Sequence, residues 1–264
     1  PLPGILQGLD RASRLYLDSA LRFTCDETIT EPDATPRLKE TFQYIFVHEP
    51  DGSLRNTRME RGKGAGREVD AKTRGFHHFM QRAYFWVLVF HASRQKLFHY
   101  ELLNKGELAE EGTLQIRFEP IPPYRESVND WFGVAWVDPR TFQIVRVEAM
   151  KADSHEISER MKNDARSLNA GEAMIFPEIY PVQTVTSDFE KIKNGMRFPS
   201  GTHIVSSIYV LPGTLFLQRP DLRTTERTLQ TYRRYKFYSV RTKEEIRDLL
   251  SLGSQGHQGK SPNP

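Results

Sequence analysis

The sequence predicts an α+β fold, a single domain in which a curved antiparallel sheet of roughly seven to eleven strands wraps a few helices. Three observations carry this. Residues 131–150 (WFGVAWVDPRTFQIVRVEAM) hold two runs of aromatic and β-branched residues around Asp138-Pro139-Arg140-Thr141. Pro139 presets φ for the first central position of a type I turn and Asp138 suits the position before it, so the segment reads as a β-hairpin. Similar turn signals recur at Glu49-Pro50-Asp51-Gly52 and Asn194-Gly195. Finally, Tyr84 to Phe90 is apolar all round, as expected of an element buried on most sides.

Along the chain, Ile5, Leu9, Ala12, Tyr16 and Ala20 recur at helical spacing and predict an amphipathic helix over 4–20. Phe23 to Ile29 alternates and reads as the first strand. Leu38 to Val47 is a stronger one, with Phe42, Tyr44 and Phe46 on one face. A polar strand returns over 54–61, followed by a glycine-rich basic loop at 62–75. Phe76, Phe79, Met80, Ala83, Val87 and Phe90 then mark a helix near 76–91, with a central strand as the alternative. Strands follow at 96–103 and 113–119, then a proline-rich loop over 120–130 and the hairpin. Ser154 suits the cap of a short helix carrying Ile157, Met161, Ala165 and Leu168. Further strands are expected at 182–192 and 202–211, and a last long one at about 225–240. The domain is expected to occupy 1–250, with 251–264 a disordered tail without apolar periodicity. This order lacks the βα alternation of a parallel nucleotide-binding sheet.

Composition narrows the function classes. Net charge is +3, too mild to imply nucleic acid without a concentrated patch. Cys25 is the single cysteine, which excludes an internal disulfide and a cysteine-based metal site. No apolar run approaches the ~20 residues that span a bilayer. Membrane contact is therefore expected to be peripheral at most. The sequence begins at Pro1 rather than Met, so a leader is expected to have been removed, either by processing or when the expressed segment was chosen.

No reaction is written in the motifs. Arg61-Gly-Lys-Gly-Ala-Gly-Arg67 has neither the spacing nor the flanks of a phosphate-binding loop. It reads as a solvated loop, although Arg58, Arg61, Lys63, Arg67, Lys72 and Arg74 could gather near an anionic partner. The adjacent His77 and His78 diverge by about 100° on a helix and offer no shared metal. Cys25 reads as a small buried packing residue rather than a nucleophile. No cofactor, metal site or catalytic residue is assigned.

Charge concentrates in one place. From Arg223 to Lys243, seven basic residues, among them Arg233, Arg234 and Lys236, face the single acid Glu226, with Tyr232, Tyr235, Phe237 and Tyr238 interleaved. Such a stretch can bind single-stranded nucleic acid. The favoured reading is an edge strand whose cations deter aggregation, with a surface for a membrane or an acidic partner between the two, and no nucleic-acid partner is expected.

The N-terminal helix running into Phe23-Thr24-Cys25-Asp26-Glu27-Thr28, the hairpin Phe132 to Glu148, the strand His203 to Pro212 and the late Gln230 to Tyr238 together resemble the LolA-like superfamily of periplasmic lipoprotein carriers and sensors. The similarity is greatest to its uncharacterised exported bacterial members. It implies a half barrel whose open mouth is plugged by helices, with an apolar cavity between, and a periplasmic or secreted location. It implies no catalytic set. The expectation is a non-enzymatic envelope protein that binds an apolar or lipid-bearing ligand as carrier or sensor. The alternative is an interaction domain with a filled core that docks another envelope protein, and a weaker one an unrecognised hydrolase. The bulkier parity of each strand should face inward, because burying an aromatic contributes roughly 1.5–3 kcal/mol. Phe42, Tyr44, Phe46, Phe132 and Trp136, with Trp86 from the apolar segment, are thus the expected cavity lining.

Overall fold

The computed structural model describes residues 2–19, 22–48, 54–61, 66–76, 78–80, 82, 85–103, 112–122, 131–151, 178–211 and 221–237. Helix α1 (Leu2–Ser19) leads into strands β1 (Arg22–Glu31), β2 (Leu38–His48) and β3 (Leu54–Met59). A single 3-10 turn at Ala71–Arg74 precedes two short helices, α2 (Phe85–Val89) and α3 (Ala92–Gln95). Strands β4 (Phe98–Leu102), β5 (Leu114–Pro120), β6 (Trp131–Val137), β7 (Ile144–Lys151) and β8 (Glu178–Asp188) follow. The hairpin β9 (Lys191–Lys193) and β10 (Met196–Phe198) separates them from β11 (Gly201–Leu211) and β12 (Asp221–Phe237).

Ten strands form one antiparallel sheet in the order β3-β2-β1-β12-β11-β8-β7-β6-β5-β4, and β9–β10 form a separate ribbon. The sheet is strongly curved and open, with β3 and β4 at its edges. Its concave side wraps α1 and α2. One buried cluster joins Phe46 of β2, Phe118 of β5 and Phe98 of β4 to Leu9 and Tyr16 of α1 and to every residue of α2. A second, smaller cluster of Ile29, Phe42, Val69, Ala71 and Phe76 fills the β1–β2 end. The fold class read from the sequence is the one observed.

Several elements depart from the sequence reading. The helix expected near 76–91 is reduced to α2. Gly75 ends the preceding 3-10 turn in the left-handed region, and side chains hold the main chain of Met80 in a non-helical strap. Apolar spacing alone could not register those side-chain tethers. The last strand is not an edge: β12 lies between β1 and β11, because the N-terminal strand returns to pair with it. The Asp138 turn is wider than a type I turn. Its carbonyl accepts from the Phe142 amide at 2.8 Å, its side chain accepts from the amides of Arg140 and Thr141, and Phe142 takes φ 53°. The strand expected over 182–192 stops at Asp188. Asn194 and Gly195 form the expected tight turn, both at positive φ. The helix expected after Ser154 and the tail at 251–264 lie outside the described residues.

Candidate functional site

On β2 the predicted parity holds: Phe42, Tyr44 and Phe46 are all buried on the concave face. Trp86 of α2 is buried as well, 1% exposed. On β6 the assignment is reversed. Trp131, Ala135 and Val137 are buried, while Phe132 and Trp136 stand half-buried on the outer face, where Trp136 lies 5.7 Å from the Arg146 guanidinium. The cause is the helix that docks there. Trp86 meets Trp131 edge-on at 5.5 Å and donates its indole N–H to Ser187 Oγ at 2.8 Å. Ala135, Ala149 and Ser187 leave room for it, and at Gly133 a Cβ would overlap the β7 backbone at Glu148 and Ala149. The bulk of this core is supplied by α2, so the sheet beneath it has to be small.

The same crowding extends across the concave side. Phe118 packs against Trp86 and Phe90, and Phe23 against Tyr44, Phe46 and Phe198. Between α1 and the β6–β7 loop, a pocket bordered by Leu9, Tyr16 and Phe142 measures about 10 Å³, room for about one water.

Between the two apolar clusters lies a buried polar network that the sequence reading missed. Arg58 of β3 donates from Nε to Glu27 Oε2 at 2.5 Å and from Nη2 to Oε1 at 2.9 Å, and both residues are buried. Gln230 of β12 donates to Glu27 Oε1 at 3.0 Å and to the Met80 carbonyl at 3.1 Å, and accepts the Met80 amide at 2.6 Å. The Arg58 guanidinium also sits over the rings of Tyr44 and Phe79. Burial pulls the Arg58 pKa down, but the charge and hydrogen bonds of Glu27 outweigh it and hold the group protonated. One signal was available: Glu27 shares its parity with Phe23, Cys25 and Ile29, so a carboxylate on that face required a buried partner.

A larger pocket lies on the outer face, where β1 meets β12, and it measures about 330 Å³. Its geometry comes from a β-bulge. Arg234 takes φ 57°, a left-handed conformation that costs a non-glycine residue energy, and the β1 register shifts between Thr24 and Asp26. Thr228, Gln230 and Tyr232 are buried on the concave side before the bulge, and Tyr235 and Phe237 pack into the core after it. Arg233 pairs with Asp26 and Lys236 with Thr24, so both stand on the outer face with Arg234 inserted between them. Strict alternation would have separated Arg233 from Arg234.

Asp26 anchors the pocket. Its carboxylate lies 2.5 Å from Arg234 Nε and 2.8 Å from Arg61 Nη1. Lys236, Gln43 and Glu60 complete the polar lining, and Glu60 is itself held by Arg74 at 2.9 Å. Thus of the cations in the basic loop, Arg61 reaches this pocket, Arg74 is turned to Glu60 and Glu40, and Arg58 is in the core. Cys25 at the pocket floor is buried, and desolvation together with Glu27 and Asp26 pushes its thiol pKa well up, which leaves it a poor nucleophile. Among the described residues, no group of three or more His, Cys, Asp or Glu could hold a metal ion, and no helix is long and apolar enough to cross a membrane.

No protein-family model and no curated protein matches the chain. Among solved structures, it is similar to a DUF1329 family protein from Desulfovibrio piger (12% identity, TM-score 0.42), over 88% of this chain and 92% of that one. It is also similar to a putative outer membrane lipoprotein-sorting protein domain from Vibrio parahaemolyticus (9% identity, TM-score 0.41), over 93% of this chain and 99% of that one. A weaker likeness, at 10% identity and TM-score 0.26, is to the MucA/MucB complex structure of Pseudomonas aeruginosa, over 89% of this chain and 99% of that one.

Proposed function

We propose that this chain is a non-catalytic, exported interaction domain of the cell envelope, with a filled core and a binding surface on the outer face of its sheet. One observation carries the reading. Among the described residues, the concave side, where a carrier would hold its ligand, is occupied by the chain's own aromatic residues in mutual contact: Trp86, Trp131, Phe118 and Phe90 at one end and Phe23, Tyr44, Phe46 and Phe198 at the other. The roomier, solvent-facing pocket is polar and lies on the opposite face. Photo-crosslinking side chains placed at Gln43 and Thr231 on the outer face, in cells producing the chain, are expected to capture a protein partner. Native mass spectrometry of the purified chain is expected to show the bare mass. A stoichiometric bound lipid, with no crosslink at either position, would overturn the reading.

A carrier or sensor of an apolar or lipid-bearing ligand is the second reading, and one feature favours it. Phe79 and Met80 belong to a strap held to the sheet by the Arg58 and Gln230 side chains rather than by a strand ladder. Swinging it away would uncover Tyr44 and Phe42. Bound lipid in the mass spectrum is the result that selects this reading.

A further inference from the structure

We propose that the outer-face pocket at the β12 bulge takes a carboxylate of an acidic polypeptide segment, with Arg234 and Lys236 as its donors and Asp26 as the residue that positions Arg234. The inference rests on the interaction-domain reading and names the partner's chemistry.

The first support is the bulge itself. A left-handed arginine is kept at Arg234 where glycine would sit without strain, and its effect is to bring Arg233, Arg234 and Lys236 onto one face. The second is the way the charges are held. Asp26 Oδ2 forms an ion pair with Arg234 on its Nε side, so the two Nη groups of the guanidinium can present N–H donors, the fork that matches a carboxylate. Among the described residues Lys236 has no ion-pair partner, and it borders the same pocket. The third is extent. Arg227 and Arg233 are exposed on the same strand, where alternation from the buried Thr228, Gln230 and Tyr232 places them on the outer face. From Arg227, which Asp33 holds at 3.8 Å, past the neutral Leu229 and Thr231 to the cluster at Arg233–Lys236, these cations spread over roughly 30 Å at about 3.3 Å per residue, the dimension of an extended peptide rather than of a single small anion.

A flat anionic membrane fits less well. The pocket is recessed and carries two carboxylates, Asp26 and Glu60, that a lipid surface would meet as like charges. A peptide can set its acids against Arg234 and Lys236 and a neutral residue against Glu60.

The test uses fluorescence anisotropy of a fluorescein-labelled hexaglutamate peptide with the whole chain at low ionic strength. Arg234→Gly removes the guanidinium while suiting the left-handed backbone, and is expected to weaken binding about tenfold with the thermal midpoint unchanged or raised. Lys236→Gln is expected to weaken it several-fold. Arg117→Gln, an exposed cation on β5 far from the seam, is expected to leave it unchanged. Equal loss in Arg117→Gln, or no peptide binding by the parent chain, would overturn the proposal. Inorganic phosphate competing as strongly as the peptide would reduce the pocket to a small-anion site. Phosphatidylglycerol vesicles binding in place of the peptide, with the same variant pattern, would reassign it to a membrane. A partner crosslinked at Gln43 whose capture is indifferent to Arg234→Gly would leave the interaction domain standing and remove this pocket from it.

Discussion

Gly8 of α1 lies against the ring of Phe142, so close that a Cβ at position 8 would fall 2.6 Å from the ring carbon Cδ1. Phe142 is itself fixed by its left-handed backbone in the β6–β7 loop. Gly8→Ala therefore sets two effects against each other. Alanine favours the helix by about 0.8–1 kcal/mol, whereas overpacking costs about 1–3 kcal/mol. The expected outcome is a net loss of stability in chemical unfolding, reversed when Phe142→Ala is added. A more stable single variant would show that the ring yields freely.

The Glu27–Arg58 pair should behave as a buried ion pair does. Arg58→Met strands a buried carboxylate and is expected to cost about 3–5 kcal/mol. Adding Glu27→Leu should recover most of that loss, because the desolvation penalty goes with the charge. Urea midpoints of the two single variants and the double give the coupling. A loss below about 1 kcal/mol for Arg58→Met would mean that water reaches Glu27.

The two tryptophans of β6 separate the faces of the sheet. Trp131→Ala empties core volume beside Trp86 and is expected to cost about 3–5 kcal/mol. Trp136→Ala removes a half-buried ring and its contact with Arg146, and is expected to cost no more than about 2 kcal/mol. Reversed magnitudes in parallel melts would contradict the observed parity.

Stability should fall in alkali. Burial is the largest cause raising the pKa of Tyr16, Tyr232 and Cys25, so the native state keeps protons that the unfolded chain has released. Unfolding then releases protons and stability declines as pH rises. The contribution of these groups is complete at neutral pH. It starts to fall above about 8.5 for the thiol and about 10 for the phenols, by about 1.4 kcal/mol per pH unit for each group until its folded pKa is reached. Denaturant midpoints between pH 7 and 11 measure the decline, and a thiol reagent at pH 8 should label Cys25 only after unfolding. Rapid labelling of the native chain would contradict the assigned burial.

What the sequence disclosed and what it hid have the same physical origin. On β2 all the aromatic residues, Phe42, Tyr44 and Phe46, share one parity, while the other holds the polar Lys39, Thr41 and Gln43 with Ile45 and Val47, so the bulkier face had one reading. On β6 both parities are apolar, and the choice fell to α2, whose size made the small residues Ala135 and Ala149 the inward ones. The bulge at Arg234 left no mark in the period-2 pattern, because its cause is backbone conformation at a residue that does not favour it. The basic stretch itself was legible, but the acids that order it, Asp26 from β1 and Glu60 beyond β3, are distant in sequence and only the register brings them near. The helix expected at 76–91 failed for a like reason, its apolar spacing overruled by Gln230 and Arg58 from remote strands.

The seam between β1 and β12 also governs how the chain assembles. Phe23 is paired with Phe237, so the first and last strands described join the three-stranded β1–β3 segment to the rest of the sheet. Such pairing has high contact order, and the entropy of closing so long a loop must be met before the seam returns any stability. A chain emerging from its N-terminus would therefore hold β1–β3 and the β4–β11 meander as two unjoined sheets, each showing an unpaired edge. Until β12 arrives, those edges are open to other chains, and the interval before closure is when aggregation competes with folding.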